Sequence, residues 1–318
     1  MKHTTTCQSE TAGDVTYLSG RDGEPTLLLR RVAGTGPSVV YVHGATFPSA
    51  LSVAYRFGGL SWMDDLAARG FDVWAFDFAG FGGSDRPPAF EHAASESPPF
   101  GRACDAEVQL ARVLAHVRQV TGRARLSLIA HSWGTIVAGL HASLQPGTIE
   151  RLVFFGPIAQ RDGPPMATGD GPESWRLVSI AQQLARFVED VPAGHPAVLI
   201  EPGLASWAPA YLASDPGAAA RRPVPAVRIP AGPAADIKAA WAGNLAYEPA
   251  RVQAPTLIVR GAWDGLCTDD DALWLRGRLG AAETRDVKIV EGTHLMHLEH
   301  ARLGLFEATG AFLMKTWF

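Results

Sequence analysis

Leu126-Ser127-Leu128-Ile129-Ala130-His131-Ser132-Trp133-Gly134-Thr135-Ile136-Val137-Ala138-Gly139-Leu140 is the stretch from which the rest of the chain is read. Residues 126–130 form an apolar run of the kind that fills a buried strand. Residues 135–144 follow with helical character, and only the short passage from His131 to Gly134 separates the two. So sharp a strand-to-helix turn lifts the Ser132 side chain out of the sheet. It also puts the next backbone N–H at the positive end of a helix. A serine hydroxyl is a poor nucleophile unless it is exposed, aimed and beside a base. The turn closes only if the residues two positions away are small, and Ala130 and Gly134 are. A serine that merely caps a helix after a strand fits the same pentapeptide, so its role depends on what stands elsewhere.

Outward from this turn, strand and helix alternate. Residues 15–34 read as two early strands around a turn at Arg21-Asp22-Gly23. Ser38–Val42 is a buried strand that stops at His43-Gly44, and residues 61–70 suit a helix ended by glycine. Residues 71–76 form a strand that runs into the glycine-dense loop from Asp77 to Asp85. Asp105 is placed to cap a helix whose apolar residues Val108, Leu110, Ala111, Leu114 and Val117 recur at helical spacing. Beyond the central turn, residues 151–155 are a strand ending at Gly156-Pro157. Strands at 256–260 and 287–290, with helices at 269–279 and 301–317, continue the pattern. No internal repeat is found. Such alternation implies an α/β fold, a mostly parallel central sheet flanked by helices.

Between about residues 159 and 249 the character changes. Strand-like runs thin out, and proline, alanine and tryptophan rise. Gly163-Pro164-Pro165, Gly171-Pro172 and Arg222-Pro223-Val224-Pro225 punctuate the stretch, and residues 174–190 read as helix. The expected organisation is a core of residues 1–158 and 250–318 carrying an inserted, mainly helical cap of residues 159–249.

The segment Ala130-His131-Ser132-Trp133-Gly134 resembles the nucleophile elbow of the α/β-hydrolase fold superfamily, with alanine where the first glycine is usual. Two further segments match that family in its order. Thr256-Leu257-Ile258-Val259-Arg260 leads into Gly261-Ala262-Trp263-Asp264-Gly265, which resembles the family's acid loop. Val287-Lys288-Ile289-Val290-Glu291-Gly292-Thr293-His294 resembles its final strand and histidine loop. The resemblance implies a serine hydrolase with Ser132 as nucleophile, His294 as general base and Asp264 as the orienting acid. The rivals Asp269, Asp270 and Asp271 suit a helix start, and His297 and His300 fall in or near the next helix. His131 is expected to pack or to hydrogen-bond. His43-Gly44-Ala45-Thr46 resembles the family's His-Gly-x loop. It implies an oxyanion hole from the backbone N–H groups of Ala45 and Trp133, with Thr46 the weaker choice and His43 a prop for the loop. Asp77 to Ser84 resembles the family's Asp-x-x-Gly-x-Gly-x-Ser loop, with Ala79 where many relatives carry arginine.

Within this family, haloalkane dehalogenases and epoxide hydrolases carry aspartate at the elbow, often followed by tryptophan. Here Trp133 is kept and position 132 is serine, so an acyl-enzyme is expected rather than an alkyl-ester intermediate. The expected substrate is a small or medium hydrophobic carboxylic ester. Thr46, Trp175, Trp207, Tyr211 and Trp241 are candidate substrate-lining residues, and Phe187 and Tyr247 add to the aromatic set. An acyltransferase, thioesterase or amidase would use the same triad. A ligand receptor on a hydrolase fold is the alternative of another class.

Bulk properties narrow the field. The 318 residues carry a net charge of −4 and no basic run beyond the pairs Arg30-Arg31 and Arg221-Arg222, which gives nucleic-acid binding no support. Cys7, Cys104 and Cys267 are too few and too scattered for a disulfide framework or a zinc site. His294, His297 and His300 lack the carboxylate pattern of a metalloprotease, so no metal and no cofactor are expected. The polar stretch from Met1 to Thr16 has no apolar core of a signal peptide, and no run of about 18 apolar residues exists. A cytoplasmic enzyme acting on a small molecule, with no membrane span, is the resulting expectation. Oligomeric state is not legible.

Overall fold

A computed structural model describes residues 11–21, 23–163 and 173–315. Cys7, Asp22, Pro164, Pro165, Gly171, Pro172 and Trp317 lie outside the described residues, as does most of the polar N-terminal stretch.

Eight strands form one sheet: β1 (Asp14–Leu18), β2 (Leu27–Val32), β3 (Ser38–Val42), β4 (Asp72–Phe76), β5 (Leu126–His131), β6 (Ile149–Phe155), β9 (Thr256–Gly261) and β10 (Thr284–Ile289). Their order is β1-β2-β4-β3-β5-β6-β9-β10. The strands from β4 to β10 run parallel, and β1 and β2 pair antiparallel at one flank. Fully buried β3, β4, β5 and β9 sit inside the sheet, which is why they read as unbroken apolar runs. At the far flank β10 alternates half-buried Val287 and Ile289 with exposed Asp286 and Lys288.

The strand alternation sends side chains to two cores. Val40, Val42, Leu128, Ala130 and Ile258 pack with α2 (Ala103–Thr121) and α3 (Gly134–Leu144) on one face. Val39, Tyr41, Ile129, Val153 and Leu257 pack with α1 (Trp62–Ala68) and α8 (Arg302–Met314) on the other. Trp62 stacks on Phe306, with ring centroids 5.2 Å apart, and joins those two helices. Between β9 and β10, α7 (Asp269–Arg278) buries Ala272 and Leu275 in the first core.

Helix starts differ in detail from the sequence reading. The first residue of α2 is capped from a distance: the Ala103 N–H donates to Asp236 at 2.7 Å, and Asp105 lies inside the first turn. At α7 the cap is Thr268, which exchanges hydrogen bonds with Asp271, so Asp269 to Asp271 make up the first turn.

Between β6 and β9 the chain leaves the sheet and builds β7 (Trp175–Ser179), α4 (Ile180–Val188), α5 (Trp207–Ala213), β8 (Ala226–Pro230) and α6 (Gly232–Trp241). The expected helix over 174–190 is therefore only half right. Trp175–Ser179 pairs antiparallel with Ala226–Pro230, and the helix starts after Ser179, whose side chain shares a capping box with Gln182. A β-branched, aromatic run before a Ser-x-x-Gln signal favours a strand before a helix start. Trp207 anchors this insertion. It stacks on Tyr211 at 5.1 Å, meets Phe187 and Phe47 edge-on, and donates its indole N–H to the Leu51 carbonyl at 2.8 Å. No helix among the described residues is long and apolar enough to cross a membrane.

Candidate active site

Ser132 follows the last residue of β5 and holds φ at 55°, in the left-handed region. A non-glycine residue there is strained, typically by about 1–2 kcal/mol. The neighbours enforce it. The Ser132 N–H donates to the Phe155 carbonyl at 2.9 Å, and its own carbonyl accepts from the Thr135 N–H at 2.9 Å and the Thr135 hydroxyl at 2.6 Å. Gly134 explains the demand for a small residue, since a Cβ there would stand 2.5 Å from the His43 carbonyl oxygen.

Asp264 lies in the loop after β9 and is buried. Its Oδ1 accepts the N–H groups of Leu266 and Cys267, both at 2.9 Å, which fixes the carboxylate. His294, in the loop after β10, points Nδ1 at both Asp264 oxygens, each 3.0 Å away. A carboxylate accepts only, so Nδ1 carries the proton and Nε2 is the bare, basic nitrogen. That Nε2 is buried without a hydrogen-bond partner among the described residues. Gly156, at the end of β6, makes room for the pair. A Cβ there would lie 2.9 Å from the His294 ring and 3.0 Å from Asp264.

Ser132 and His294 line one cavity of about 250 Å³, together with Gly44, Ala45, Thr46, His131 and Leu295. Part of its wall comes from the insertion: Arg176, Val178, Gln182, Gln183, Arg186, Phe187 and Ile237. Neither the Ala45 N–H nor the Trp133 N–H is bonded to another described residue. The Thr46 hydroxyl accepts from Gln183 Nε2 at 2.9 Å, which ties the Ala45 loop to α4.

The other histidines have different surroundings. The His43 ring is buried, takes the Phe78 N–H on Nε2 at 3.1 Å and donates from Nδ1 to the Gly44 carbonyl at 2.7 Å, so it braces the loop that bears Ala45. Burial holds it below its ordinary pKa. His131 stacks on Phe155 at 4.3 Å and donates from Nε2 to the His294 carbonyl at 3.0 Å, supporting the histidine loop. Burial, with His297 and His294 nearby, pushes it well down. Burial also takes His297 to about 3, and His300 is exposed. Glu299, fully buried, accepts the Thr293 N–H at 3.1 Å and the Thr293 hydroxyl, and burial raises it to about 7. Cys267 is buried, with its thiol pushed well above the usual range by burial, so it stays protonated. Among the described residues no group of three or more His, Cys, Asp or Glu is arranged to hold a metal ion.

Of the five residues expected to line the substrate site, the structure puts Thr46 on the cavity and the four aromatic ones elsewhere. Trp207 and Tyr211 are packed between insertion and core. Trp175 donates to the Ala89 and His92 carbonyls under the Arg228 guanidinium, and Trp241 lies under Arg161. Large indoles serve packing here, because burying them stabilises an insertion that contributes only a two-stranded sheet and short helices. Phe187, from the expected aromatic set, does line the cavity, whereas its polar wall residues Arg176, Gln182, Gln183 and Arg186 were not singled out in the sequence. Their one legible signal was the Ser179-x-x-Gln182 capping box, which would have set the phase of α4. Asp236 was also missed. It is buried on α6 and accepts from Trp133 Nε1 at 2.9 Å and from the Arg102 guanidinium, and burial raises its pKa.

Comparison with known proteins agrees with this architecture. No curated protein matches the sequence. Among solved structures, a serine hydrolase involved in carbazole degradation superposes with a TM-score of 0.63 at 17% identity, covering 96% of this chain and 100% of that one. A thioesterase domain from a curacin biosynthetic pathway gives 0.61 at 18%, covering 95% and 99%. A monoacylglycerol lipase from Paleococcus ferrophilus gives 0.57 at 17%, covering 92% and 99%. At such identities these likenesses establish the fold. The sequence profile described as "Alpha/beta hydrolase family" matches residues 39–308, a span holding the elbow, the acid loop and the histidine loop. The chain belongs to the alpha/beta hydrolase family.

Proposed function

We propose that this protein is a serine hydrolase that cleaves a small or medium carboxylic ester through an acyl-enzyme. The observation that carries the reading is the unpartnered Nε2 of His294, on a ring whose Nδ1 is clamped by Asp264, lining the same cavity as Ser132 on its strained turn. In this reading Ser132 Oγ attacks the ester carbonyl carbon while its proton passes to His294 Nε2. The carbonyl oxygen becomes an oxyanion held by the N–H groups of Ala45 and Trp133, which have no other acceptor among the described residues. The C–O bond to the alcohol breaks as the imidazolium returns its proton to the leaving oxygen. Water, deprotonated by the same nitrogen, then attacks the acyl-serine; the acyl C–Oγ bond breaks, the imidazolium returns the proton to Ser132 Oγ, and the acid leaves.

Serine at the elbow fits this chemistry. Asp264 stabilises the imidazolium without taking its proton. In this reading the insertion acts as a cap, since it supplies one wall of the cavity. Treatment with a fluorophosphonate probe tests the nucleophile. Wild-type protein is labelled and turns over p-nitrophenyl esters; Ser132→Ala is not labelled and loses turnover by about three orders of magnitude or more. Full esterase activity in Ser132→Ala would overturn the assignment.

A further inference from the structure

Two arginines line the cavity that holds Ser132, and among the described residues no carboxylate does. Arg176 comes from β7. Arg186 comes from α4, where Gln182 and Gln183 also face the cavity. Arg186 is held through Nη1, which pairs with Glu189 at 2.9 Å and Asp190 at 3.5 Å. Neither acid lines the cavity, and Asp190 is itself tied to the acid loop by the Gly265 N–H at 3.3 Å. Glu189 is 54% exposed, so water screens its charge. The other nitrogen, Arg186 Nη2, is buried with no hydrogen-bond partner among the described residues. A buried charged donor without an acceptor is costly, and a ligand that supplies one gains accordingly. The surrounding wall of Phe47, Val178, Phe187, Ile237, Leu266 and Leu295 lowers the local dielectric and strengthens any such pair.

We propose that the ester this site takes bears a free carboxylate, which seats against Arg186 and Arg176 while the ester carbonyl sits at Ser132. The inference rests on the hydrolase reading and narrows its substrate class. A guanidinium matches a carboxylate edge to edge through two N–H groups, which fixes the register of the chain between charge and carbonyl as well as adding affinity. A purely hydrophobic ester leaves Arg186 Nη2 unsatisfied.

The test uses two series of esters of four to eight carbons, one with the carboxylate on the acyl part and one with it on the alcohol part. Each ester is paired with its methyl-capped neutral twin, and uncatalysed hydrolysis is subtracted. In at least one series kcat/KM for the charged ester exceeds that of its twin by about tenfold or more. Added salt lowers the ratio. Arg186→Met and Arg176→Met each bring the ratio toward one, and Arg186→Lys retains part of it. Because the ratio is taken within each variant, a general loss of folded enzyme does not imitate the effect. Ratios near one in both series for the wild type, or ratios that survive both methionine variants, overturn the proposal and leave the hydrolase reading standing. An unlabelled Ser132 with no ester cleaved overturns both. If Ser132 is labelled but no ester is cleaved, calorimetric titration of Ser132→Ala with the same pairs decides: tighter binding of the charged member supports the proposal, and equal binding refutes it.

Discussion

Ser132 shows at the scale of one residue what the site costs the fold. A side chain at φ 55° is held there by the Phe155 carbonyl and by Thr135, against the preference of any L-residue. Glycine tolerates that backbone, and alanine tolerates it no better than serine. Ser132→Gly is therefore expected to be more stable than Ser132→Ala by about 1 kcal/mol, although both lack the hydroxyl. Thermal or urea unfolding of the pair measures the difference, and equal stability would mean the turn is not strained. The sharp turn was legible beforehand, because Ala130 and Gly134 flank a serine between a strand-like and a helix-like run, and its strain was not. The free Nε2 of His294 was not legible: it depends on Gly156, which sits in a different loop and makes room for the ring.

At the scale of an element, the histidine loop hangs from Glu299. Its carboxylate takes the Thr293 backbone N–H and hydroxyl, and the Thr293 hydroxyl in turn accepts from the Leu295 N–H at 3.1 Å. Burial raises folded Glu299 to about 7, with Asp264 and Asp190 adding to the rise and Thr293 opposing it. The unfolded chain gives up this proton in the ordinary glutamate range. Between that range and about 7 the folded state holds the extra proton, so stability is fully present below the window and falls as pH rises through it. Unfolding temperatures taken from about pH 5 to about pH 8 should decline in the wild type and decline less in Glu299→Gln. Parallel profiles would show that Glu299 is not the group responsible. Nothing in the sequence marked Glu299, since a glutamate two residues beyond a second histidine, His297, reads as solvated helix surface. The elements themselves were readable wherever the pattern was strong, as in the unbroken apolar runs of the buried strands. They were misread over Trp175–Ser179, where a short strand precedes a capped helix.

Across the whole molecule, several side-chain links join the insertion to the core, and two of them reach the active site. Gln183 donates to Thr46, and Asp236 gathers Trp133 Nε1, the Ala103 N–H and Arg102. The second link joins α6, the start of α2 and the serine turn in one buried junction. Trp133→Phe keeps most of the apolar contact with Phe78 and removes the indole N–H. A loss of about 1–3 kcal/mol is expected, with kcat falling more than KM rises. Unchanged stability and kcat would exclude a role for the junction. The alternation of strands and helices made the mostly parallel sheet legible in the sequence. Which insertion residues reach the cavity was not, because only the fold brings Arg176 and Arg186 beside Ser132 and His294.

The outermost strand β10 turns Asp286 and Lys288 outward, and both are engaged locally, Asp286 by Arg260 at 2.9 Å and Lys288 by Asp269 at 2.6 Å. A second molecule trying to lengthen the sheet along that margin would have to dehydrate and displace these charges before any main-chain pairing could form. Crowding in a concentrated cell therefore meets a standing deterrent to fibrous stacking on that side, supplied by a strand far from the chemistry.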